Sequence, residues 1–372
     1  MINNKTNDNY NNDNNIKEEE NVFYLTYETK KINEHIKLIY GENPFTKEVQ
    51  GTFYNINKSS LSITICSSSQ KVSSYGYTFS DVGEHRVMIK INDNNITSLN
   101  DMFACCYNLI KIEGVPSKNI NNFRNMFNSC YSLQNIDALK NWDVSNGVDF
   151  SFMFSGCKSL QNIDALENWN VSKGNNFRSM FSCCDSLQNI NGLKNWDVSN
   201  GVDFKEMFSS CSSLQNIDDL SNWNVSNGNK FTEIFSNCSS LQNTDGLKNW
   251  NFSNVNDFNS MFYSCSSLKN IDGLSNWNVS KVQNFFCMFH NCSSLKNLDG
   301  LKNWDVSNGV CFFMMFYGCS SLESISALEN WNISKGKNFE KMFEKCPNLT
   351  KKKIPPNLRK KNKIMGDNCI IF

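Results

Sequence analysis

Eight tryptophans stand at positions 142, 169, 196, 223, 250, 277, 304 and 331, and every gap is 27 residues. They are all the tryptophans in the chain. A gap that never drifts means copies of one structural unit stacked without insertions, so no loop inside the array has grown to house a reaction. An internal period between 20 and 50 residues marks a solenoid or related array. One such unit cannot bury its own apolar face, and its neighbours must cover it.

The copy that starts at Leu160 reads LQNIDALENWNVSKGNNFRSMFSCCDS. Leu160, Ile163, Leu166, Trp169 and Val171 step by about three, the rhythm of a leucine-rich coil in which a short strand alternates with corners. Phe177, Met180, Phe181 and Cys184 follow i, i+3, i+4, i+7, which predicts a short helix. Asp or Asn precedes the repeating Phe in six of eight copies, as a helix N-cap does. Gly156, Asn237, Asn291 and Gly318 precede the repeating Cys and suit a left-handed turn that ends a helix. The expectation is an α/β fold: a leucine-rich-repeat solenoid of 27-residue units, each a short strand plus a short helix, over residues 101–349. At roughly 4.8 Å per coil, about ten coils span roughly 45 Å.

The recurring pattern MFxxCxSLxxIDxLxNWxVS, seen in MFSGCKSLQNIDALENWNVS and MFYSCSSLKNIDGLSNWNVS, resembles the BspA-like (Treponema-type) leucine-rich repeat family. It is also similar to the repeat of mycoplasmal lipoproteins of unknown function. The stretch YTFSDVGEHRVMIKI resembles the segment that leads into such repeats. The resemblance covers about residues 102–349. It implies a non-enzymatic surface or adhesion-type protein of a bacterium or a protist, and it fixes no ligand.

Residues 21–100 differ from the array. FYLTYE, IKLIYG, GTFYNI, LSITIC, YGYTF and RVMIKI are short β-rich runs divided by Asn, Gly and Ser, and they predict a β-rich N-terminal cap. Such a cap shields the open end of a solenoid core; a separate ligand-binding domain is the alternative. Residues 1–20 are Asn/Asp-rich with few apolar side chains and predict a disordered tail. That stretch holds no apolar h-region, so no secretory signal is expected, unlike the exported bacterial relatives that the resemblance implies. No apolar run reaches the length of a membrane span.

Composition narrows function further. The formal net charge is zero, and the basic residues cluster without interleaved aromatics, so no nucleic-acid partner is expected. His35, His85 and His290 are scattered, and no nucleophile motif or phosphate loop occurs, so no enzyme and no cofactor are expected. Nine of the sixteen cysteines recur every 27 residues on the apolar stripe, from Cys130 to Cys346. Stacked neighbours lie near disulfide range, but a buried Cys is also a small hydrophobe, and free core thiols are the expectation. No metal site is expected: no CxxC recurs, and one carboxylate per coil in the row from Asp137 to Asp299 is thin for calcium. The Asn before each Trp and the recurring Ser145–Ser334 series are read as ladders that satisfy backbone at the corners. The repeated sequons, such as Asn170-Val-Ser, matter only on a secreted route.

Two features depart from the repeat. Residues 350–372 form a tail that ends in Cys369-Ile370-Ile371-Phe372, a C-a-a-X box whose Phe suggests geranylgeranyl. Lys351, Lys352, Lys353, Arg359, Lys360, Lys361 and Lys363 precede it. One prenyl chain plus a polybasic patch makes a stable anchor on an anionic membrane surface. The second feature sits just after the repeating Phe, where polar pairs such as Lys205 and Glu206 give way to Phe286-Cys287 and Phe313-Met314. Stacked coils bring these together, which suggests a site for a protein partner. The expected function is protein recognition or cell-surface adhesion by a lipid-anchored, membrane-associated array. A scaffold on the cytoplasmic leaflet is the alternative.

Overall fold

The computed structural model describes residues 19–40, 60–350, 353–360 and 364. Its first part is antiparallel sheet. Strands β1 (Val22–Thr29), β3 (Leu61–Ile65), β4 (Gln70–Val72), β6 (Gly83–Ile91) and β7 (Leu109–Val115) form one sheet in the order β4-β3-β6-β1-β7. Strands β2 (Glu34–Lys37) and β5 (Gly76–Phe79) pair separately. Alternation in GEHRVMIKI turns His85, Val87, Ile89 and Ile91 inward, as period-two patterning requires. Phe23 packs edge-on against Phe103 and Trp142, so the sheet and the repeats share one apolar core.

Strand β7 joins the two parts. One edge pairs with β1. On the other side Lys111 bridges Asn135 in parallel, and the Gly114 carbonyl accepts from Trp142 Nε1 at 2.8 Å. Gly114 has φ +99°, and a Cβ there would lie 2.0 Å from the Val22 carbonyl oxygen. Only glycine fits the crossing.

The repeats stack side by side, and the bonds between them define the unit. The amides of Phe150, Phe152, Phe154 and Gly156 donate to the carbonyls of Asn176, Arg178, Met180 and Ser182 in the next copy, at 2.7–2.9 Å. The amides between them close turns within the copy: Met153 to Phe150, Ser155 to Phe152, Cys157 to Phe154. The residue before the repeating Phe forms parallel bridges, as in Asp149–Asn176–Asp203 and Asn284–Cys311–Asn338.

The helix expected over this stripe is absent. Phe152 and Gly156, with their counterparts in every copy through Lys341 and Lys345, hold positive φ. Two left-handed residues per unit cannot continue a right-handed helix. The sequence reading foresaw the second of these positions at Gly156, Asn237, Asn291 and Gly318, but as a helix terminus. The stripe itself is real: Phe177, Met180, Phe181 and Cys184 are all fully buried. The strand expected at the Leu–Ile–Leu stretch is also absent; a short 3-10 turn such as Asp164–Leu166 stands there.

Two side-chain ladders complete the stack. From Trp169 onward each Trp indole donates to the Leu carbonyl of the preceding copy, as Trp196 Nε1 does to Leu166 at 2.9 Å, while the Trp169 amide takes the same carbonyl. Each repeating Cys thiol likewise donates to the Phe carbonyl of the preceding copy, as Cys184 Sγ does to Phe154 at 3.2 Å, while the Cys157 amide takes the same oxygen. Both lone pairs of these carbonyls are used. All fifteen described cysteines are free. The rings run in register: Phe154 and Phe181 stack at 5.6 Å and 1°, Trp196 and Trp223 at 6.4 Å and 2°.

At the far end, Ile354, Leu358 and Ile364 are buried, and Asn357 Nδ2 in the short helix α1 (Pro356–Arg359) donates to the carbonyls of Leu328 and Trp331. The Phe343 amide donates to the Ile364 carbonyl, where a further copy would otherwise sit.

Two expectations follow. Glu233 (φ +61°) occupies a left-handed position with a half-exposed side chain. Glu233→Gly raises stability by up to about 1 kcal/mol, whereas Glu233→Val lowers it by about 2 kcal/mol; urea unfolding with the two variants in the reverse order contradicts the assigned backbone. Burial pushes the Cys106 and Cys265 thiols up to about 12 from 9.0. The unfolded thiols ionise first, so this contribution to stability is whole below pH 9 and is lost as pH rises toward 12. An unfolding midpoint that holds steady from pH 9 to 11 in reducing buffer rules this out.

Candidate functional site

The segment from the bridging Asp or Asn to the Ser after the repeating Cys forms one face of the stack. Its inward residues barely change between copies. Its outward residues change freely. The position after the Phe holds Arg124, Ser151, Arg178, Lys205, Thr232, Asn259, Phe286, Phe313 and Glu340 in turn. The corner is just as exposed but nearly constant. The Asn before every Trp is exposed, and corner polar groups are tied into local bonds, as when the Ser199 amide donates to Asp197 Oδ1 at 3.0 Å. The Asn ladder expected to serve buried corner backbone is therefore an exposed row; Asn249 Nδ2 reaches the Ser221 carbonyl at 3.1 Å.

On the middle copies the face is charged. Phe152 lies between the guanidinium groups of Arg124 and Arg178, at 5.5 and 5.6 Å. Lys205 sits 3.1 Å from Glu206, and Lys230 sits 3.0 Å from Asp203. Burial pushes the Glu206 carboxyl up, but hydrogen bonds from Ser179 and Lys205 and the charges of Lys205 and Arg178 outweigh it and hold the group below its ordinary value.

On the later copies the same face turns aromatic. Phe286 and Phe313 stack at 5.4 Å; Phe286 is 37% exposed, and Phe313 and Met314 are half-buried. Cys287, grouped with them from the sequence, points inward and is buried. A second column runs beside the first. Tyr263, His290 and Tyr317 stack at 4.6 and 4.7 Å, and Lys345 Nζ lies 5.1 Å over the Tyr317 ring. Turn bonds link the columns: the His290 amide donates to Cys287, and the Tyr317 amide to Met314. Burial, then the charge of Lys345, lowers the His290 pKa, and its buried Nδ1 has no hydrogen-bond partner among the described residues. Sequence reasoning missed this column. The signal was available, because the equivalent register holds Ser182, Ser209 and Ser236 in earlier copies.

Of the basic tract, Lys353 Nζ donates to the carbonyls of Glu323 and Asn348, Arg359 Nε donates to Ile354, and Lys360 is exposed. Lys351, Lys352, Lys361, Lys363 and Cys369 lie outside the described residues. Among the described residues no group of three His, Cys, Asp or Glu side chains is placed to hold a metal, and no helix is long and apolar enough to cross a membrane. A shallow trough beside the tyrosine column is lined by Asn237, Ser239, Ser264, Ser266, Asn291 and Ser293. Its Ser239, Ser266 and Ser293 hydroxyls already donate to carbonyls of the preceding copy.

The exposed stack makes a stability prediction. Phe286→Ser with Phe313→Ser changes stability by about 1 kcal/mol or less, whereas Cys287→Asp, which buries a carboxylate, costs about 3 kcal/mol or more. Equal losses in thermal unfolding place the two rings in the core.

A protein family described as "Mycoplasma protein of unknown function, DUF285" matches over residues 73–191, 97–215, 162–272 and 268–363, an unbroken run through the array. No curated protein and no solved structure matches.

Proposed function

We propose a function from the premise that the chain belongs to the DUF285 family: the array is a non-enzymatic recognition scaffold held at a membrane by its C-terminus. The carrying observation is where variation falls. The Asn-Trp-x-Val-Ser corner and the face both reach solvent, yet that corner is nearly constant while side chains on the face differ from copy to copy. A stack whose constant parts make the structure and whose face varies suits a binding protein. In this reading the stack is a leucine-rich-repeat solenoid of the BspA-like type, here built from turns and bridges, and its ligand is a protein. Adhesion at the cell surface is the use that the likeness favours; a scaffold on the cytoplasmic leaflet is the use that a prenyl anchor favours.

The anchor is Cys369, with a prenyl thioether and the basic tract acting together. Cys369→Ser moves the chain from the membrane pellet to the soluble fraction, and unchanged partitioning removes the anchor from the proposal. Photo-crosslinking tests the scaffold. A photoreactive residue at 178 on the face captures a discrete partner, and one at 197 on the corner does not; equal capture from both positions defeats the assignment of the face. Protease treatment of intact cells then separates the two uses: cleavage of the array supports adhesion, and protection until permeabilisation supports the internal scaffold.

A further inference from the structure

The two aromatic columns described above stand on the copies nearest the basic end; at the other end the exposed rings of Tyr107 and Tyr131 stack at 4.8 Å. Where Phe286 and Phe313 stand, earlier copies carry Arg178, Lys205 and Thr232; where Tyr263 and Tyr317 stand, earlier copies carry serines. The core does not need these rings, because Phe285, Met288 and Phe289 already fill the interior beneath them. Each ring stacks on its neighbour's face. Rings of this kind, with a hydroxyl at the rim, suit the zone where headgroups meet acyl chains.

Charge is segregated the same way. The whole chain has 36 basic and 36 acidic residues, but residues 335–363 hold eleven Lys or Arg against Glu340 and Glu344 alone. Lys345 is exposed and lies over the Tyr317 ring, and Lys341 is half-buried. The chain that leaves the basic tract comes back to this segment, since the Phe343 amide donates to Ile364. The apolar rings thus stand next to the basic segment, and on the face itself Lys341 and Lys345 alternate with Glu340 and Glu344.

We propose that this end of the face rests on an anionic lipid surface, with Phe286, Phe313 and Met314 entering the headgroup region and Lys341 and Lys345 meeting lipid phosphate or carboxylate. The proposal rests on the membrane-association reading above and extends it from the tail to the folded array. Lysine is depleted at protein interfaces and favoured beside acidic headgroups, so the net basic charge of residues 335–363 as a whole argues for lipid over a protein partner. The tail then holds the chain near the membrane, and the face sets its orientation, leaving the charged middle copies accessible.

The test is co-sedimentation of the full-length, unprenylated chain with vesicles of phosphatidylcholine alone or mixed with phosphatidylserine. The parent sediments with the mixed vesicles. Phe286→Ser with Phe313→Ser weakens that binding about tenfold at unchanged circular dichroism, and Lys345→Glu, at an exposed position that leaves the fold intact, weakens it severalfold. If both variants bind like the parent while Lys351→Gln, Lys352→Gln and Lys353→Gln together abolish binding, the face is not on lipid and the tail reading stands. If the parent ignores both vesicles, the proposal falls, and the prenylated chain on the same vesicles decides whether the tail reading falls with it. Vesicle binding left intact by a Phe substitution that dissolves a dimer on gel filtration assigns the face to a second copy and overturns the proposal.

Discussion

Every copy lends its backbone bonds to the next one. Within the Phe-to-Cys segment, alternate amides cannot find a carbonyl in their own unit, because two left-handed residues turn them outward along the stack. A buried amide without a partner is costly. The unit therefore exists only beside another copy at the same register, and the 27-residue spacing cannot slip. The same need explains both ends. Strand β7 offers the Gly114 carbonyl to the first Trp, and Ile364 offers its own carbonyl to Phe343. The indole and thiol ladders add a second donor to carbonyls that already hold one, so Trp and Cys recur for hydrogen bonding as well as for bulk.

That constraint also explains what the sequence told and what it withheld. The period, the buried set and the stacking were legible, because they depend on which side chains are apolar and how far apart they lie. Phe177, Met180, Phe181 and Cys184 are buried as their spacing requires. The backbone that presents them was not legible. An i, i+3, i+4, i+7 stripe fits a helix, and it fits equally a chain of turns that puts the same residues inward. The deciding residues are Phe152, Ser179, Glu206 and Glu233, all with positive φ. None is a type that advertises a left-handed position, and their strain is offset by lateral bonds that only the stack supplies. The candidate site was half legible. Phe286 and Phe313 stood out against polar residues at their register, whereas Tyr263, His290 and Tyr317 were overlooked, and Cys287 is buried while its counterpart Met314 is half-buried.

A stack that satisfies itself through backbone, indole and thiol leaves its outward side chains little structural work. The exposed ion pairs, such as Lys158 with Asp185, add little stability at such exposure. Substitution there changes the surface without changing the stack. The corner lacks this freedom, because its Asx turns need Asp or Asn followed by Ser. Variation on the face is therefore tolerated for a mechanical reason, and a selectable surface comes as a consequence of that constraint.

The zero net charge deserves a different reading in this light. A global balance says only that no long-range field surrounds the whole molecule. In an extended stack the relevant scale is the Debye length, about 8 Å at physiological ionic strength, so charges several copies apart do not cancel for a ligand at the surface. Residues 335–363, with eleven basic and two acidic side chains, act as a positive end on a neutral chain. The charge-balanced middle copies and the aromatic later copies are then separate chemical environments along one face. A chain of identical units acquires polarity through this gradient rather than through its fold.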